Sequence, residues 1–581
     1  MAHTYKVNYK DIETFEVPEG TKLIDVAKSV QKYYKNPIMV AKVDNSTVGL
    51  DYEVTKKCDV DFYDRTSNVG KDVYTKSIYM MMILAIKRIL GEDVEVYINN
   101  SIENWVCCEI LNYNITKKDV EKINEEMDKI REENLIFTPL NVRRTDAIKY
   151  FKKKKYIDKV NVLKYISNSY ITLYRLDNYY DYFFSKLAYS TKDINDYRLI
   201  YIKDNMFVVL TQNIDFEKYD LASLELPKML EKINSINNFG KVDNDSNSLD
   251  INTVISKLFK ATTNFNKIIN INNVADLNHV ISIGDIEHTI RMSELKYERS
   301  LMNLAEKIYD GKDNIKMVLL AGPSSSGKTT SAKKLSLYLE TKGFHTITLS
   351  TDDYFLDRNE TPKDEFGEYD FESLYAIDLK LFNSHLSKLL KGEKVLVPEY
   401  DFIEGKKVYK KNNVQMKEND ILVIEGLHCL NEELTKSIDR KNKYKIFISP
   451  FTQLNIDYHN GIHTTDTRKL RRIIRDNRTR GRNAADTLRM WEKIKEGEYK
   501  WIYPYQNDAD GIINSSLVYE LAVLKTYVEP LLYSVEEDDE MYPEAIRLIN
   551  ILRNVLPMPS DYIPRDSVLR EFIGNSGFYD N

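Results

Sequence analysis

The run Gly322-Pro323-Ser324-Ser325-Ser326-Gly327-Lys328-Thr329-Thr330 has the spacing G-x-x-x-x-G-K-[ST]. Residues of these types can hold a chain of phosphates. Glycines let the backbone come close, while loop N–H groups and a helix N-terminus point positive dipole ends at the anion. The Lys328 ammonium can reach the β- and γ-phosphates, and the Thr329 hydroxyl can ligate Mg²⁺. The competing reading is a chance match in a serine-rich turn. A chain with only 20 Gly in 581 residues makes such a match rare.

Acids and arginines follow. Asp352 and Asp353 end the strand-like run 345–350. A carboxylate there can take the proton of an acceptor hydroxyl as it attacks a γ-phosphate. The plainer job for such an Asp is a helix N-cap. Glu425 closes the apolar run DILVIEG, where an acid can hold a Mg²⁺-bound water. Tyr400, in PEYDF, offers an aromatic face beside a cleft or packs in a core. The stretch 466–482 carries Arg468, Arg471, Arg472, Arg475, Arg478, Arg480 and Arg482. Helical spacing puts the first four on one face. Planar guanidinium groups grip phosphate oxygens in pairs, so the stretch reads as a lid over a phosphate site. A nucleic-acid-binding or solvated basic face is the alternative.

These groups need strands to deliver them. Residues 317–321 are apolar throughout and 420–426 carry the apolar run Ile421–Ile424 with an acid at the end, as in strands buried on both faces, and 331–341 reads as helix. Strand, loop and helix in this order, with acids at strand ends, predict an α/β unit with a mostly parallel sheet. A net charge of −6 argues against nucleic acid as the main partner. Cys58, Cys107, Cys108 and Cys429 have no paired metal spacing and fit a reducing compartment. The N-terminal stretch has no apolar core of signal-peptide length, and 78–90 is too short to span a bilayer. A soluble cytoplasmic protein without a membrane partner is expected.

Residues 1–64 read as a β-rich unit with a helix over 23–33, buried through Leu23, Val26, Ala27 and Val30. VPEGTKLIDVAK followed by IMVAKVDN resembles the TGS domain, a β-grasp module. Residues 65–250 resemble the additional α+β domain of threonyl-tRNA synthetases and alanyl-tRNA editing proteins. That family has an H-x-x-x-H zinc pair where this chain has Lys76 and Met80, and residues 4–278 hold no histidine. No bound zinc is expected, since a hydrolytic zinc site needs three protein ligands. The lysine-rich run 117–159 reads as a solvated helical face, with RNA contact the alternative. Residues 234–272 read as loop or linker, and 289–310 as helix. The expected division is 1–64, 65–250, a linker and helix over 251–312, a phosphate-loop domain over 313–535, and a tail over 536–581.

The stretch 316–533 resembles the phosphoribulokinase/uridine kinase family, carried by GPSSSGKTT, STDDYF, PEYDF, ILVIEG and DTRKLRRIIRDNRTRGR in that family's order. The resemblance implies transfer of the ATP γ-phosphate to a sugar hydroxyl, foremost the 5′-hydroxyl of a nucleoside, with Mg²⁺. By it Asp352 is the general base and Glu425 the strand-end acid. Tyr400 is the aromatic beside the nucleobase, and Glu372 the acid that holds the ribose hydroxyls. Arg472, Arg475, Arg480 and Arg482 are the lid arginines. Two positions depart from the uridine–cytidine kinases. Gly405 stands in place of their pyrimidine-contacting His, and Met490 in place of a Gln after the lid. The departures put uracil selectivity in doubt. Two alternatives stay open: a kinase of another small acceptor such as a sugar phosphate, and an ATP-switched RNA-binding regulator. Oligomeric state, the work of residues 1–250 and that of the tail stay open too.

Overall fold

The computed structural model describes residues 3–578 apart from 11, 103–104, 204, 212–261, 365–366, 403, 411–412 and 452–453. Most of the linker expected over 234–272 thus lies outside the described residues. Its end does not stay a loop, because 262–268 are helical.

Strands β1 (Thr4–Tyr9) and β2 (Glu13–Pro18) pair antiparallel. β5 (Cys58–Asp64) joins β1 in parallel, β3 (Ile38–Val43) joins β5 antiparallel, and β4 (Ser46–Val48) forms the edge. The helix Leu23–Val30 buries Leu23, Val26, Ala27 and Val30 against this sheet, the face its spacing predicts.

The helix Asn68–Leu90 begins ahead of the apolar run 78–90 because the Ser67 hydroxyl caps it, accepting from the Gly70 N–H. It is buried nearly all round and so lacks an amphipathic stripe. Lys76 and Met80 are both buried on it, and the Lys76 ammonium lies over the Tyr79 and Phe184 rings. Two antiparallel sheets surround it. One has the order β11 (Arg198–Lys203), β12 (Met206–Leu210), β7 (Trp105–Ile110), β6 (Val96–Ile102). The other is β10 (Tyr179–Tyr182), β9 (Tyr170–Leu176), β8 (Thr138–Arg143). On the helix Lys117–Glu132, Val120, Ile123, Met127 and Ile130 face the core, while Lys117, Lys118, Lys122 and Lys129 are exposed. Lys159, in the same basic run, is fully buried.

The C-terminal half is built on a five-stranded sheet, parallel throughout. Its order is β14 (His345–Ser350), β19 (Asp420–Gly426), β13 (Met317–Ala321), β20 (Lys443–Ser449), β21 (Gly511–Asn514). Two small hairpin-like pairs, β15 (Lys394–Leu396) with β18 (Asn413–Gln415) and β16 (Glu399–Asp401) with β17 (Lys406–Val408), lie between β14 and β19 in sequence. β13 sends Met317, Leu319 and Ala321 into one core and Val318 and Leu320 into another, as a central strand must. The helices Tyr542–Leu552 and Arg570–Ile573 place Leu548, Leu552, Phe572 and Ile573 in the same core as Val318. The segment expected as a tail is therefore an integral layer. Among the described residues no helix is long and apolar enough to cross a membrane.

Candidate functional site: a phosphate-loop cleft

Sheet register sets the site. Parallel pairing puts Ser350 level with Glu425, and Glu425 level with Leu320, so three strand ends open side by side at the loop. The loop runs from Gly322 into the helix Lys328–Thr341, which starts at Lys328 rather than at 331. The Lys328 ammonium donates to the carbonyls of Gly322 (3.0 Å) and Pro323 (3.2 Å). Thr329 Oγ1 donates to Glu425 Oε1 at 3.2 Å, and the Ser350 hydroxyl donates to the same oxygen at 2.9 Å. Ser325 sits in the left-handed region at φ +61°. The hydroxyls of Ser325 and Ser326 are buried without a partner among the described residues. The loop thus turns polar groups inward that it does not satisfy itself.

Asp352 stands in the turn Thr351–Tyr354, which the Ser350 hydroxyl caps by accepting the Asp352 N–H at 3.3 Å. Asp353 points elsewhere and accepts the Tyr400 N–H at 3.3 Å. The Tyr400 ring packs edge-on against Phe355 (5.6 Å) and Phe402 (5.2 Å), so it is part of an aromatic cluster. Glu372 sits close by. Burial raises its carboxyl to about 7 although Arg472 pulls the other way. Glu425 is raised to about 7 by burial and then by Asp352. Burial likewise lifts Asp353 to about 6. Opposite these acids is a crowd of cations. Arg475 first, then burial, hold Arg480 down to about 9, and burial with Arg475 lowers Arg472. Guanidinium groups packed this closely disfavour one another's charge.

The arginine helix, Thr464–Arg480, divides its basic residues between two jobs. Arg468, Arg471 and Arg472 all reach the loop at Ser324 or Ser325, but two of them are committed to ion pairs. Arg468 and Arg471 are 1 % and 0 % exposed and form ion pairs with Glu498 and Glu520. They hold the loop in shape. Arg468 Nε donates to the Ser324 carbonyl at 3.0 Å, and Arg471 donates to the Ser515 carbonyl at 2.8 Å. Arg472 donates to the Ser324 hydroxyl, directly over the loop. Arg475 and Arg480 share Asp476 with Arg472. The Arg480 guanidinium lies 4.9 Å over the Phe402 ring, bridging the arginine helix to the β16–β17 pair. Arg482 donates toward the Met490 sulfur at 3.0 Å.

Four residues of this cleft escape a reading by motif. Asp476 balances Arg472, Arg475 and Arg480. Phe402 meets Arg480. Glu498 accepts the Ser324 N–H at 3.1 Å while pairing with Arg468. His428, two residues past Gly426, is 2 % exposed. Burial pushes its imidazole down to about 3, and it is hydrogen-bonded to the Glu372 backbone. Its Nδ1 has no partner among the described residues, and its ring meets Trp501 at 5.9 Å. The signal for His428 was its place behind Glu425; the other three depend on the fold.

A divalent cation fits the donor set. Thr329, Glu425 and Ser350 offer hydroxyl and carboxylate oxygens at one point, which suits a hard ion that keeps waters and phosphate oxygens. Among the described residues no group of three His, Cys, Asp or Glu side chains comes together to hold a metal.

Residues 317–521 match the model of the family described as Phosphoribulokinase / Uridine kinase. A uridine kinase of Vibrio vulnificus strain YJ016 is 29% identical over 226 residues, 38% of this chain and 98% of that protein. A threonine–tRNA ligase of Natranaerobius thermophilus is 31% identical over 149 residues, 26% of this chain and 23% of the ligase; that likeness fits the N-terminal part. The chain thus spans less than a quarter of the ligase's length. Among solved structures, a D-glycerate 3-kinase from Cryptococcus neoformans overlays 47% of this chain and 89% of that one, at 15% identity and TM-score 0.20. The β13–loop–helix unit, the acids at the ends of β14 and β19 and the arginine helix all fall within 317–521, the residues that match the phosphoribulokinase/uridine kinase family model.

Proposed function

We propose that the C-terminal half transfers the γ-phosphate of Mg·ATP to a sugar hydroxyl, foremost the 5′-hydroxyl of a nucleoside. The observation that carries this reading is the meeting of three parts at one point. These are the loop with Lys328 and Thr329, Glu425 at 3.2 Å from Thr329, and Arg472 bonded to Ser324. Phosphoryl transfer needs little covalent help from a protein; it needs positioning and charge neutralisation. The backbone of Gly322–Thr330 cradles the phosphates, and Lys328, Arg472, Arg475 and Arg480 spread positive charge around the γ-phosphate. Thr329 and Glu425 would hold Mg²⁺, which would supply neutralisation of the phosphate charge. Asp352 accepts the acceptor hydroxyl's proton.

On the acceptor side Glu372 receives the two ribose hydroxyls, Tyr400 gives an aromatic face, and Arg482 lies at the lid margin. Gly405 and Met490 carry no group that hydrogen-bonds a pyrimidine edge. Stacking and apolar contact discriminate by about 10- to 200-fold, whereas matched hydrogen bonds reach about 10⁴–10⁵. Base selectivity is therefore relaxed, or directed to a nucleoside other than uridine. The test compares kcat/KM for uridine, cytidine, adenosine, guanosine and their 2′-deoxy and 2′,3′-dideoxy forms. Clear loss with the dideoxy forms supports Glu372, and equal rates remove it from the ribose role. Preference for uridine over purines by about 10⁴ or more means another residue reads the base. Turnover of a sugar phosphate with none on any nucleoside replaces the acceptor class and leaves the kinase standing.

A further inference from the structure

The C-terminal segment lies on the phosphate loop itself. Glu571 Oε2 accepts the Thr330 N–H at 3.0 Å and the Thr330 hydroxyl at 2.8 Å. Thr330 is the third residue of the loop's helix, so its N–H is among those without an intrahelical acceptor. Asp566 pairs with Lys334 at 3.0 Å, and Lys333 donates to the Phe578 carbonyl at 2.7 Å. Gly327 is held at φ +84°, and a Cβ there would stand 2.4 Å from Val568 Cγ2. Arg478 of the arginine helix donates to the Glu571 carbonyl at 3.2 Å, and Arg471 lies 5.0 Å over the Phe572 ring. The segment thus touches the loop, its helix and the lid at once.

A carboxylate at a helix N-terminus takes the stabilisation that a phosphate would take there. Two anions cannot share the Thr330 N–H, and side by side they repel. We propose that Glu571 is a built-in competitor for the phosphate chain, and that the C-terminal segment latches the loop shut until a nucleotide displaces it. The inference rests on the reading of the loop as a nucleotide site and adds its regulation. By reciprocity, whatever the latch gains in holding the loop, the nucleotide loses in affinity. Arg478 ties the same segment to the lid, so release and lid movement are linked.

The test measures ATP and inorganic tripolyphosphate binding by calorimetry, with Mg²⁺, for the full chain and for Glu571→Gln and Glu571→Ala. Hydrogen exchange of residues 565–578 is followed in parallel. Glu571→Gln keeps the shape and an acceptor oxygen, so it guards against a folding defect in Glu571→Ala. The expected result is tighter binding of both ligands, by about tenfold in Glu571→Ala and less in Glu571→Gln. In the unaltered chain ATP should speed exchange over 565–578. Equal or weaker binding by both variants, or slower exchange with ATP, overturns the latch and leaves the kinase reading in place. No ATP binding by any of the three proteins overturns the kinase reading, and the latch with it.

Discussion

Asp352 and Glu425 stand on neighbouring strand ends but face different tasks. Asp352 is half-buried on a capped turn and Glu425 is buried against Thr329 and Ser350. Asp352→Asn should keep nucleotide affinity and lose about 10²–10⁴ in kcat, because an amide cannot accept the hydroxyl's proton. Single-turnover kinetics with a parallel ATP titration check this, and near-normal turnover would move the role to Asp353. Glu425 answers to pH. Its carboxyl rises from an ordinary 4.5 to about 7 in the folded chain. Between those values the folded protein binds more protons than the unfolded chain. The stability this group contributes is therefore full below pH 4.5 and lost as the pH rises through 7. Holding Mg²⁺ needs the ionised form, so the Mg²⁺ requirement should ease over the same window. Glu425→Gln should melt higher than the parent at pH 8, match it near pH 4.5, and lose the pH dependence of its Mg²⁺ titration. A parent and variant that melt alike at both pH values would take Glu425 out of this role.

At the scale of elements, the helix Trp491–Trp501 supports both sides of the cleft. Glu498 holds Arg468 and the Ser324 N–H, while Gly497 lies against Glu372. A Cβ at Gly497 would stand 2.4 Å from Glu372 Cβ. Gly497→Ala improves helix propensity by about 1 kcal/mol, so a defect would not come from a weaker helix. The displaced Glu372 should raise the acceptor KM by about tenfold and leave ATP affinity unchanged; an unchanged acceptor KM would place the acceptor elsewhere. The arginine helix shows what spacing alone leaves out. Periodicity reports which residues point the same way. It does not report that Glu498 and Glu520 will neutralise Arg468 and Arg471 from outside the helix.

Across the whole molecule, the N-terminal half grips the loop that leads into the arginine helix. Lys159 pairs with Asp181 (2.9 Å) and Asp457 (3.0 Å), all fully buried, and His459 Nδ1 lies 2.6 Å from Asp181. Tyr458 donates its N–H to Asp158 and accepts the Ile98 N–H. Although burial favours the neutral forms, Lys159 is held above and Asp181 below its ordinary range by the opposite charges. Lys159→Met leaves those carboxylates buried without their cation. It should cost about 3–5 kcal/mol of stability and expose the loop near Tyr458 to proteolysis. An unchanged melting temperature would mean that the two halves do not depend on this cluster.

What the sequence determined by itself is what is local. The phosphate loop lies within one strand–loop–helix unit, so glycine, lysine and threonine spacing states its backbone and its chemistry together. The helix expected over 23–33 follows from periodicity for the same reason, and its α-helical part is Leu23–Val30. Tertiary structure alone decided which charges meet. Glu571 reaches Thr330 across 241 residues, and Asp457 reaches Lys159 across 298. A buried charge is stable only where its partner arrives, and that partner is chosen by the packing of the whole chain rather than by any stretch of it.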